Sequence, residues 1–205
     1  DAGRDVLRAG GNAVEAMISM AAVIPVVYPH MNAIGGDGFW IIKPAGKSPV
    51  GIDASGAVAA RATDDLYAEA GYDAIPARGP LAANTVAGAV SGWQKALDLS
   101  AELGGTCSRE RLLESSIYYA ENGFPITGSQ FRTTEAKYRE LDEVPGYAET
   151  FLRNHGPPTA GEMFKQNRLG ETLRRLAADG FDSFYRGPLA SAIGADLARA
   201  GSPVS

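Results

Sequence analysis

Residues 29–40 read PHMNAIGGDGFW. An apolar run with helical spacing ends just before them. Three glycines, Gly35, Gly36 and Gly38, then flank Asp37, and a strand-like run, FWII, follows. A loop that cradles phosphate needs its glycines after a strand and before a helix, where the anion meets free helix N–H groups. Here the order is helix, turn, strand, and the Lys-Ser/Thr pair of a phosphate loop is missing. The glycines are therefore expected to serve backbone geometry, through positive φ or close approach, with Asp37 capping a tight helix-to-strand turn. If the φ of Gly36 is positive, replacing it by alanine would cost more than ~1 kcal/mol.

Upstream, NAVEAMISMAAVIP (12–25) places Val14, Met17, Ile18, Ala21 and Ala22 on one helical face. Asn12 and Glu15 form a capping-box pattern, and Pro25 is expected to end the helix at Ile24. The chain begins DAGRDVLRAGG, which already reads as helix and not as a signal peptide, so a fragment or a subunit cut from a longer product is expected. Downstream, FWIIK, PAGKSP and VGID spell a hairpin with a longer loop. Thr63 caps a short helix. Val86, Ala89, Val90, Trp93 and Leu97 form a stripe that Gly104-Gly105 stops. Ser108 opens a helix that Asn122-Gly123 closes. Further helices are marked by Phe131, Thr134, Tyr138 and Leu141, by Leu169, Leu173 and Leu176, and by Pro188 followed by Leu189, Ile193 and Leu197. The stretch 153–164 reads as loop. Two strands and about seven helices make an α+β pattern, and a lone hairpin is marginal by itself. The hairpin is expected to join a sheet whose other strands lie outside these residues.

Composition narrows the function classes. The 205 residues are 45% hydrophobic and 21% charged, which is ordinary for a folded domain. A net charge of −5 with no basic run disfavours nucleic acid as a partner. No stretch reaches the ~18 apolar residues of a membrane span, so no membrane partner is expected. The single cysteine, Cys107, excludes an internal disulfide framework and reads as a small filler in a turn. His30 and His155 lie too far apart for a paired metal motif, and each reads as decorating a loop. No metal and no cofactor are expected.

Several strings together resemble the γ-glutamyltranspeptidase family: GRDVLRAGGNAVEA, PHMNAIGGDGFWII and GID near the start, TVAGAVSGW at 85–93, YAENGFPI at 119–126, and GEMFKQNRLGETLRRLAADGFDSFYRG at 161–187. The resemblance spans nearly the whole chain in the family's order. It implies an Ntn hydrolase, an αββα sandwich of two stacked sheets flanked by helices. Residues 1–205 would then be the large-subunit portion of a single domain that a second, small subunit completes. In the family a precursor cuts itself, and the new N-terminal threonine of the small subunit is the nucleophile, with its own α-amino group as base. The resemblance therefore puts no catalytic residue in this chain. Thr85 reads as a cap and Thr133 as a helix-surface residue. A dimer of such heterodimers is compatible with the resemblance, and the cytoplasm is favoured over the periplasm.

One departure bears on substrate. Glutamyl-processing members carry an arginine two residues after the aspartate that Asp53 matches, as a bidentate partner for the substrate α-carboxylate. Here Ser55 stands in the arginine's place and Gly56 in that of the acidic residue after it. Asp53, Ser55 and Gly56 are the substrate-binding candidates. Ser55 can donate one neutral hydrogen bond, or simply sit in an Asp-Ala-Ser-Gly turn. Arg61 reads as a surface residue. The loss of the arginine resembles the amidohydrolase branches, oxamate hydrolases and acylases included. The leading expectation is hydrolysis of a small amide or acyl-amide. A γ-glutamyl hydrolase or transferase acting on glutathione-like substrates and a non-catalytic scaffold are the alternatives.

Overall fold

The computed structural model describes residues 1–154 and 156–204. His155, expected to decorate a loop, lies outside the described residues. The chain runs through α1 (Ala2–Arg8), α2 (Ala13–Val27), β1 (Gly38–Ile42), β2 (Val50–Ala54), α3 (Asp64–Glu69), a 3-10 turn (Pro80–Ala82), α4 (Ala89–Glu102) and α5 (Arg109–Asn122). It continues through β3 (Phe124–Pro125), α6 (Gly128–Leu141), α7 (Tyr147–Phe151), β4 (Met163–Phe164), α8 (Asn167–Asp179), a second 3-10 turn (Phe181–Phe184) and α9 (Pro188–Ala200).

The middle of the molecule is α2, which packs against α1, α4 and α5, while α5 packs in turn on α8. A helix in that position must be apolar nearly all round. Ile18, Ala22 and Val26 are fully buried and meet Leu112, Leu113, Leu173 and Leu176 in one core. The capping box closes as the residue pattern predicts. Asn12 Oδ1 accepts from the N–H groups of Val14 and Glu15, and Glu15 Oε2 accepts from Asn12 N at 2.7 Å. Glu15 goes further than a cap. Almost wholly buried, it also accepts the Cys107 N–H at 2.7 Å on Oε1. A carboxylate buried there is tolerated because both oxygens hold backbone donors. Cys107 is half-buried beside it and, as expected, fills space near Gly11, its thiol pKa pushed up chiefly by burial.

Five local expectations are corrected. Pro25 does not end α2, which continues to Val27. A proline in the last turn removes only one backbone donor, and the added turn buries Pro25 and Val26. Met17 is not on the buried stripe; it is 48% exposed, and Glu15, Ala16 and Ser19 turn inward instead. Val86 lies before α4 and is partly exposed, while Thr85 is no cap: it pairs as an antiparallel bridge with Val58. The stretch 153–164 is more than loop, because β4 pairs antiparallel with β3, Phe124 opposite Phe164, and α7 precedes it. Two-residue strands carry no periodicity, so nothing in the sequence announces them.

β1 and β2 form the expected antiparallel hairpin, with Gly38 opposite Ala54, Phe39 opposite Asp53 and Trp40 opposite Ile52. Its inner face lies on α4. There Gly92 lets the hairpin approach closely: a β-carbon at that position would stand 3.0 Å from both Trp40 Nε1 and Ala54 Cβ. Its outer face is uncovered, with Phe39 70% and Ile41 86% exposed. Among the described residues this sheet has two strands and no more.

Candidate functional site

The sequence candidates come together at one end of the hairpin. At the end of β2, Asp53 Oδ1 accepts the Ser55 N–H at 3.0 Å, a side-chain-closed turn that fixes the backbone at Ser55. Asp53 is exposed and Ser55 half-exposed, so both are open to a ligand. Gly56 follows with φ +75°, and a β-carbon there would lie 1.7 Å from Val86 O. Only glycine satisfies both conditions. On the other side, a β-carbon on Gly88 would lie 2.0 Å from Ala54 O. The turn therefore rests directly on the backbone of residues 86–88, with Val86 N–H donating to Ala57 O at 2.9 Å.

The glycine turn meets the same ledge. Gly36 O accepts from Gly88 N at 3.0 Å and from Ala89 N at 2.9 Å. Gly36, not Asp37, thus occupies the N-terminus of α4, and Asp37 is exposed with no side-chain bond to a described residue. The expected capping of the helix-to-strand turn by Asp37 is thus not made, and the hydrogen bonds of this turn come from the Gly36 carbonyl, which reaches two N–H groups at the start of α4 at once. Positive φ is also ruled out for Gly35, Gly36 and Gly38. At Gly38 close approach remains, with an added β-carbon 3.4 Å from Ala89 Cα, while Gly35 has nothing within 4 Å.

Two further groups complete the site, and neither stood out in the sequence. Tyr185 Oη accepts the Ser91 N–H at 2.8 Å and donates to Ala87 O at 2.8 Å. Burial pushes its phenol above the ordinary range, so it stays protonated and able to donate. Gly88 and Gly92, four residues apart in TVAGAVSGW, mark the helix face that the hairpin approaches, a spacing visible in the sequence once the partner is known. The remaining expectations separate from this end. His30 hydrogen-bonds Ser129 Oγ at 3.1 Å and packs on the Tyr28 ring at 4.2 Å, so it is built into the interior of its loop, with its pKa lowered by burial. Thr133 and Arg61 are exposed, as expected. Among the described residues no three His, Cys, Asp or Glu side chains gather as a metal site would require.

The family model described as gamma-glutamyltranspeptidase matches residues 1–205. This chain belongs to the γ-glutamyltranspeptidase family. It is 51% identical, over 98% of its length, to the oxamate amidohydrolase proenzyme of Klebsiella pneumoniae subsp. pneumoniae, and spans 38% of that protein. It is 38% identical, over 98% of its length, to the glutathione hydrolase-like YwrD proenzyme of Bacillus subtilis, and spans 37% of it. The fold superposes on the Helicobacter pylori γ-glutamyltranspeptidase with a TM-score of 0.89 and 28% identity, covering 100% of this chain and 58% of that one. The match to the cephalosporin acylase of Bacillus halodurans has a TM-score of 0.89 and 31% identity, covering 100% of this chain and 38% of that one. The hairpin and helices of this γ-glutamyltranspeptidase-family chain are thus an α+β Ntn-hydrolase architecture, and the chain spans well under half the length of these two curated relatives.

Proposed function

We propose that this chain is the large-subunit portion of a self-processing amidohydrolase that hydrolyses a small amide of the oxamate kind. The carrying observation is the neutral Ser55 hydroxyl, half-exposed on a turn that Asp53 and Gly56 make rigid, at the position where glutamyl-processing members hold arginine. The likeness to an oxamate amidohydrolase proenzyme supports the same reading. Asp53, Ser55 and Gly56 form one wall of the substrate site, with Ser55 as a hydrogen-bond donor to the small acyl group. Gly35, Gly36, Asp37 and Gly38 build the turn beneath it.

The nucleophile is the N-terminal threonine of a second subunit from the same precursor. Its hydroxyl attacks the amide carbon, and the hydroxyl proton passes to the α-amino group. The C–N bond then breaks, ammonia leaves with that proton, and an ester acyl-enzyme remains. Water cleaves the ester, releasing the acid and restoring the hydroxyl. The uncovered outer face of the hairpin, with Phe39 and Ile41, supports a single domain completed by that subunit, since an apolar sheet face of this kind needs a cover.

A second reading, γ-glutamyl hydrolysis or transfer, is favoured by the likeness to a glutathione hydrolase-like proenzyme. The test compares kcat/KM of the processed full-length enzyme on oxamate, read as ammonia release, with that on a γ-glutamyl anilide. A strong preference for the anilide overturns the proposal in favour of the second reading.

A further inference from the structure

Ser91 is the third residue of α4, and its N–H is one of the first four in the helix, which have no acceptor within it. The acceptor is the Tyr185 hydroxyl, which also donates to Ala87 O. Tyr185 arrives from 94 residues downstream and belongs to a rigid unit. It packs edge-on against Phe184, and the turn before it buries Phe181 edge-on against Trp93. Between the two anchored positions lies Gly88, whose carbonyl accepts the Ser91 hydroxyl at 2.7 Å. Ala87 and Gly88 have no long side chain to hold them in place. Yet it is on residues 86–88 that the Ala54–Gly56 turn rests, through contacts too close for any β-carbon at Gly56 or Gly88.

We propose that Tyr185 is a positioning residue of the substrate site: by holding Ala87 and Ser91 it sets the ledge of residues 86–88 and, through it, the direction of the Ser55 hydroxyl. The inference rests on the reading that Ser55 faces the substrate. Its physical core is that an aromatic anchored in the core adds a side-chain tether, at Ala87 O and Ser91 N, to a glycine-rich backbone whose other holds include backbone bonds to Gly36 and Ala57. Small misplacement of a substrate-contacting group is expensive, on the order of 100-fold for about 1 Å at the reacting centre.

The test is a double-mutant cycle on the processed full-length enzyme with oxamate as substrate. Ser55→Ala, which removes one neutral hydrogen bond, is expected to raise KM by about five-fold. Tyr185→Phe keeps the ring and is expected to raise KM similarly while lowering Tm by less than about 4 °C. In the Ser55→Ala background Tyr185→Phe is expected to add nothing, because its effect passes through Ser55. Full additivity, or a Tyr185→Phe enzyme with lowered Tm and unchanged KM, overturns the proposal. If Ser55→Ala itself leaves KM unchanged, the reading of the site fails, and the inference fails with it. A measurement on the wild-type enzyme covers the case in which Tyr185→Phe does not fold. The Ser91 amide should exchange with solvent slowly, whereas a first-turn helix N–H without an acceptor exchanges fast; fast exchange refutes the tether.

Discussion

The carbonyl oxygen of Val86 stands over Gly56 so closely that a β-carbon on residue 56 would lie 1.7 Å from it. This contact, more than the glycines that draw the eye at 35–38, is the geometric requirement of the site. With φ at +75° Gly56 is also in the left-handed region. Gly56→Ala is expected to cost more than about 2 kcal/mol, from strain and overlap together. Gly36→Ala is expected to be nearly neutral, since its φ is not positive and the new β-carbon meets nothing nearer than Ala33 O at 3.7 Å. Thermal melting of the two processed variants checks the contrast, and a larger loss at Gly36 contradicts it.

Ser55 governs substrate choice in the proposed reading. A charge-assisted hydrogen bond contributes roughly 1.5–3 kcal/mol where a neutral one gives about 1. Without a guanidinium, recognition of a glutamyl α-carboxylate should be weaker by about ten-fold or more. Ser55→Arg is expected to raise kcat/KM on a γ-glutamyl anilide and to lower it on oxamate. Equal loss on both substrates would show that residue 55 does not contact the acyl group.

Ile41 tests the missing partner. At 86% exposure on the outer hairpin face, it loses little if made charged in the isolated chain. Under the cover proposed for this face, the same charge would be taken out of water at a cost. Residues 1–205 expressed alone are expected to be poorly soluble and inactive, because uncovered strand edges and apolar faces invite aggregation. Ile41→Asp is expected to improve the solubility of the isolated chain and to impair assembly with the second subunit, as size-exclusion chromatography after co-expression would show. Normal assembly of the variant would put the partner elsewhere.

Glu15 tests whether a buried carboxylate is structural. Its oxygens hold the N–H groups of Asn12 and Cys107, and hydrogen bonds to charged acceptors are worth roughly 1.5–3 kcal/mol each. Glu15→Ala is expected to destabilise by about 3 kcal/mol or more. Denaturant unfolding of the processed enzyme measures it, and a loss below about 1 kcal/mol would contradict the assignment.

The ion pair between α5 and α8 gives a pH prediction. Arg174 Nε lies 2.5 Å from Glu121 Oε1, and the hydrogen bond holds the Glu121 carboxyl below its ordinary value of 4.5. A depressed carboxylate pKa stabilises the fold above the ordinary value, and that contribution fades as pH falls through the lowered one. The Tm gap between wild type and Arg174→Ala is therefore expected to be constant at neutral pH and to close below about pH 4. A gap that widens on acidification would refute the sign.

Where the chain's own local chemistry decides an element, the sequence sufficed. The Asn12–Glu15 capping box, the Thr63 and Ser108 caps and the stop at Gly123 act within a few residues, the FWIIK–PAGKSP–VGID hairpin joins strands that are neighbours in the chain, and each forms as its pattern requires. The family was legible for a related reason, since motifs in fixed order survive without knowledge of contacts. Tertiary structure decided what depends on distant partners. Burial carried α2 past Pro25 and turned Met17 outward, because packing against α5 outweighs one lost backbone donor. β3 and β4 exist only through each other. The site is the clearest case: Gly56 is obligatory because Val86 lies over it, Gly36 caps a helix 52 residues on, and Tyr185 holds that helix's first turn from farther still. Such roles come from which backbones touch, and contact across dozens of residues leaves no periodicity in the sequence itself.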